Sequence, residues 1–133
     1  MNKVIFFCSL LLSLPYLANA GQSDTINQFT GEWEGTGKQV NNTQWTIRVN
    51  IHPKLYVIDY PSLICGGKLT LIKSTDTSLV FKETLTYGIT RCINHGEVVL
   101  NKVAEYEAGY HWFSRKDKLE AFGNLTRKSP IGK

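Results

Sequence analysis

The chain has 133 residues, with 15 Lys and Arg against 11 Asp and Glu and a formal net charge of +4 at pH 7. That length supports one domain with a modest core. The charge excess is mild, and its closest clusters, Arg115-Lys116-Asp117-Lys118 and Arg127-Lys128, read as solvated turns rather than the dense basic stripe of a nucleic-acid binder.

The first segment reads as an export signal. Lys3 gives a short positive start, Val4 to Leu14 is an apolar run, and Ala18-Asn19-Ala20 has the small-x-small shape of a cleavage site. The run is shorter than the about 20 apolar residues a transmembrane helix needs. Cleavage after Ala20 is therefore expected, leaving residues 21–133 as a single β-domain, periplasmic or secreted. No later segment is apolar enough to enter a membrane, and Gly21 at the cut offers no thiol for a lipid anchor. Two cysteines then remain, Cys65 and Cys92. An even count in an exported chain predicts a disulfide, and two cysteines allow one connectivity. They lack the Cys-x-x-Cys spacing that favours redox work, so the bridge is read as structural.

Gly21 to Gln28 is polar and reads as a loose leader. Phe29 to Gly37 interleaves glycines with large aromatics, as in a tightly bent strand, and Asn41-Asn42 marks a hairpin turn. From Gln44 the alternation is clean, with Trp45, Ile47, Val49 and Ile51 on one face. Leu55 to Tyr60 is apolar on both faces apart from Asp59, which predicts cover on both sides, and Pro61 ends the strand. Gly66-Gly67 opens the next strand, and Thr75 to Ser78 turns the chain. Leu79, Phe81, Leu85 and Tyr87 share a face that Glu83 interrupts, and Asn94-His95-Gly96 is a hairpin signal. Glu97 to Val103, Tyr106 to Ser114 and Leu119 to Leu125 complete the set, with a tail from Lys128.

This makes roughly eight short strands about 8–12 residues apart, with no helical period beyond the signal. The expected fold is all-β, a small antiparallel up-and-down barrel or flattened barrel, with a two-sheet sandwich as the alternative.

Three histidines, His52, His95 and His111, show no metal-ligand spacing, so neither a metal nor a cofactor is expected. Asp59 and Glu83 each interrupt an apolar face and are candidate buried carboxyls, satisfied by Arg48, Arg91 or a tyrosine hydroxyl. Without a nucleophile elbow, phosphate loop, dinucleotide fingerprint or zinc-protease motif, the expectation is a protein that is not an enzyme. Tyr110-His111-Trp112-Phe113 cannot bury both faces in a one-layer wall, so Tyr60, Tyr110, His111, Trp112 and Phe113 form the candidate binding surface. Asn41 and Asn124 sit in glycosylation acceptor patterns that matter only in a eukaryotic host.

The stretch Tyr60-Pro61-Ser62-Leu63-Ile64-Cys65-Gly66-Gly67-Lys68-Leu69 resembles a poorly characterised family of small bacterial extracytoplasmic β-domains. These occur as short secreted proteins and as the outer domains of some bacterial serine/threonine kinases. The similarity continues at Gly88-Ile89-Thr90-Arg91-Cys92, Gly96 to Leu100, Trp112 and Gly123 to Arg127. It implies pairing of Cys65 with Cys92 and brings no assigned activity. Three functions stay open. The first is a non-enzymatic binding domain for an envelope protein or cell-wall component. The others are an inhibitor or immunity protein against a cell-wall hydrolase such as lysozyme, and a small-ligand carrier using the barrel interior.

Overall fold

The computed structural model describes residues 25–115 and 118–128. The expected signal over residues 1–20, residues 21–24 of the expected leader, positions 116–117 of the expected turn and 129–133 of the expected tail lie outside the described residues. Eight strands follow in order: β1 (Gly31–Gln39), β2 (Gln44–His52), β3 (Leu55–Tyr60), β4 (Cys65–Ser74), β5 (Ser78–Tyr87), β6 (Glu97–Ala104), β7 (Glu107–Arg115) and β8 (Lys118–Arg127). Each pairs antiparallel with the next, and β8 returns to β1 from Trp33↔Arg127 to Gln39↔Ala121, closing the sheet into a barrel. Closure leaves no unpaired strand edge, which sets the molecule apart from a sandwich. Among the described residues no helix is long and apolar enough to cross a membrane.

Period-two alternation selects the interior. Along β2, Ile47, Val49 and Ile51 are buried while Thr46 and Arg48 face water. On β3 only one face is covered: Ile58 and Tyr60 are buried, Leu55 is exposed, and Asp59 is half-buried on the outside. A barrel wall is one layer thick, so the two-sided cover expected for β3 does not arise. Tyr87 also departs from the alternation. Gly66 pairs with Tyr87 but Gly67 with Leu85, so Thr86 is an extra residue, and this bulge turns Tyr87 outward.

The far end of the barrel is sealed by residues expected to be a loose leader. Residues 25–28 are helical, and Phe29 and Thr25 are buried. Thr25 donates to the Thr75 carbonyl at 2.7 Å, and the Trp33 indole donates to the Phe29 carbonyl at 2.8 Å. The Arg127 guanidinium lies 4.7 Å over the Trp33 ring and donates to the carbonyls of Thr30 and Gln28. Aromatic stacking and carbonyl acceptors together hold this cation over the plug.

Candidate functional site

Among the described residues nothing caps the other end. Its rim is built from the β1–β2 turn at 40–43, the 3-10 turn Pro61–Leu63, and a nine-residue loop at 88–96 where the sequence predicts a short hairpin. At the corner after Pro61, Ile64 takes a left-handed backbone with φ of 58°, a costly conformation for a β-branched residue. Its amide donates to the carbonyls of Tyr60 and Pro61, and Cys65 follows with its side chain fully buried. Cys65 and Cys92 form a disulfide with Cα atoms 6.4 Å apart, tying the long loop to the start of β4.

Inside this rim lies a cavity of about 260 Å³. Trp45, Leu63, Ile93, Trp112 and Ala121 supply apolar walls, with Gln39, Thr43 and Arg91 toward the rim. Both indoles lie across a glycine. Trp45 is the cross-strand partner of Gly37, and a Cβ there would sit 3.1 Å from its ring. A Cβ on Gly96 would come within 2.4 Å of the Trp112 ring, so glycine is what lets that indole reach the interior.

The floor is a polar cluster. Glu83 points inward because it shares the face of Leu79, Phe81 and Leu85, and it is 1% exposed. The Tyr60 hydroxyl donates to its Oε2 at 2.5 Å, and the Trp112 indole donates to its Oε1 at 3.0 Å. The Tyr110 hydroxyl lies 2.8 Å from that of Tyr60. Each carboxylate oxygen therefore has a donor, as a buried charge requires. Burial pushes the Glu83 carboxyl above its ordinary range, while the bonds from Tyr60 and Trp112 pull it down; burial wins. Burial also raises the Tyr60 and Tyr110 hydroxyls well above the usual phenol; Tyr110 and Glu83 add to this at Tyr60, and Glu83 adds to it at Tyr110, where the bond with Tyr60 pulls the other way.

Of the candidate binding residues, Tyr60, Tyr110 and Trp112 meet at this floor. His111 and Phe113 do not line the cavity; His111 sits 3.4 Å from the Asn101 amide and opposite Phe122. Glu83 is buried. Asp59 is not, and instead accepts from the outward Tyr87 hydroxyl at 2.5 Å. That bond, with some burial, pushes Tyr87 up to about 12. A tyrosine hydroxyl thus satisfies each carboxyl, rather than Arg48 or Arg91. The rim residues Gln39, Thr43 and Ile93 were missed in the sequence reading. Their nearest signal is adjacency, since Ile93 follows the cysteine that anchors the loop. Among the described residues no group of three His, Cys, Asp or Glu could hold a metal ion.

No known family pattern matches the chain, and no curated protein sequence does. Among solved structures it is similar to a redesigned β-barrel, with a TM-score of 0.62 and 12% identity over 79% of this chain and 96% of that one. At that identity the likeness is one of fold.

Proposed function

We propose that the protein is an exported, non-enzymatic binding domain that holds a small ligand in the mouth of its barrel. The observation that carries this is the apolar-walled cavity of about 260 Å³, which the side chains of a closed eight-stranded barrel leave unfilled. Barrels of this size are either packed solid or hold one small ligand. The volume falls just below the ~300 Å³ at which sites for drug-sized molecules begin, so the ligand is smaller than those. The disulfide supports maturation in an oxidising, extracytoplasmic compartment. The corner that resembles exported bacterial β-domains is also the corner that frames the mouth.

A second reading has its own observation. Ile64, Ile89 and Ile93 are 57%, 54% and 61% exposed. Each sits one residue from a contact that joins the loop to the β4 corner: the disulfide for Ile64 and Ile93, and the approach of Gly88 to the Ile64 carbonyl for Ile89. This apolar rim favours an envelope protein, a cell-wall hydrolase among them, or a cell-wall component seated over the mouth.

The ligand reading is tested by thermal shift of the oxidised protein against small aromatic and aliphatic molecules. Binding to the folded state alone stabilises by about 2.7 kcal/mol at a hundredfold excess over Kd. Some compounds are expected to raise Tm in the native protein but not in Ala121→Leu, whose longer side chain enters the cavity. No rise with any compound, or equal rises in the variant, would remove the barrel interior as the site.

A further inference from the structure

Resting on that reading, we infer that the ligand is a small aromatic monoanion, its ring between the cavity walls and its charge at the rim beside Arg91. Among the described residues, only two formally charged side chains line the cavity, Glu83 and Arg91. Glu83 lies at the floor, 1% exposed, and both its oxygens already accept hydrogen bonds from Tyr60 and Trp112. Its oxygens keep lone pairs, but the side chain is so enclosed that a cationic ligand reaches them only by moving Tyr60 or Trp112, leaving a buried hydroxyl or indole unpaired. Glu83 therefore acts as an internal brace, and its charge is not on offer.

Arg91 is the opposite case. It is exposed, and among the described residues its guanidinium makes no hydrogen bond and no ion pair. Its backbone is nevertheless held in place. The Arg91 amide donates to the Gly88 carbonyl at 2.8 Å, and the next residue is bridged to Cys65. A guanidinium on a fixed backbone, above an apolar cavity, is suited to bidentate capture of a carboxylate or similar anion.

The walls add a further constraint. The Trp45 and Trp112 rings favour a flat, polarisable body over a bulky aliphatic one. Without Lys3 of the expected signal, 14 Lys and Arg stand against 11 Asp and Glu, and this net +3 attracts anions at long range.

The experiment uses isothermal titration of the oxidised full domain with three matched probes: 2-naphthoate, 2-naphthamide and 2-naphthylmethylammonium. Naphthoate is expected to bind about tenfold tighter than the amide, the size of one charge-assisted hydrogen bond, with the cation weakest. Arg91→Gln, a change at an exposed side chain, is expected to bring naphthoate down to the amide's affinity and leave the amide unchanged. If the amide or the cation binds as tightly as naphthoate, or if Arg91→Gln keeps the preference, the anion inference fails while the cavity reading stands. If none of the three binds, both fail.

Discussion

Glu83 carries two opposed influences within one side chain: burial raises its proton affinity, and hydrogen bonds from Tyr60 and Trp112 lower it. Because burial dominates, the folded state binds this proton more tightly than the unfolded chain. Its contribution to stability is then fully present below the unfolded pKa of about 4.3 and is lost as pH rises through the raised folded value. Urea denaturation across about pH 4 to pH 8 should therefore show the native protein losing stability relative to Glu83→Gln as pH rises. A difference that grows the other way would mean that the two donors outweigh burial. The position of Glu83 was legible in the sequence, since Leu79, Phe81 and Leu85 fix its face by simple alternation. Its partners were not. Which tyrosine reaches it depends on how β3, β5 and β7 face one another across the barrel, and that register leaves no trace within any one strand. Asp59 misled because an apolar run predicts two covered faces, whereas a barrel wall has only one.

Among the elements, the strands were the most legible part, because alternation over six to ten residues directly reports an inside and an outside. The bulges were hidden. An extra residue such as Thr86 is a property of two paired strands, so the outward turn of Tyr87 could not be read from β5 alone. The plug at residues 25–30 was missed for a different reason: it buries few side chains, among them Thr25 and Phe29, within a mainly polar stretch. The loop at 88–96 depends most on a covalent tie, closing 27 residues between Cys65 and Cys92. In the chain-entropy model that closure contributes about 3–4 kcal/mol. Cys92→Ser tests this more cleanly than the same change at the fully buried Cys65, where a hydroxyl would be stranded. Under oxidising conditions the variant should be less stable by about that amount. In reductant the two proteins should melt alike. Equal stability when oxidised would show that the loop is held without the bridge.

At the scale of the whole molecule, the described residues seal one end of the barrel and leave the other uncapped, and the three tryptophans divide between them. Trp33 is buried under the plug and bonded to the Phe29 carbonyl, while Trp45 and Trp112 wall the cavity at the mouth. The barrel itself follows from strand count and short connections, so the fold class could be read from sequence. Which end stays open could not, because it is set by where the plug and the long loop come to rest after closure. The division of the tryptophans supplies an internal control. In an NMR titration of the oxidised protein with 2-naphthoate, the indole N–H resonances of Trp45 and Trp112 should move together and saturably, while that of Trp33 stays in place. Movement of Trp33 alone, or no movement of any indole at saturating ligand in the solubility range, would contradict a binding site in the barrel mouth.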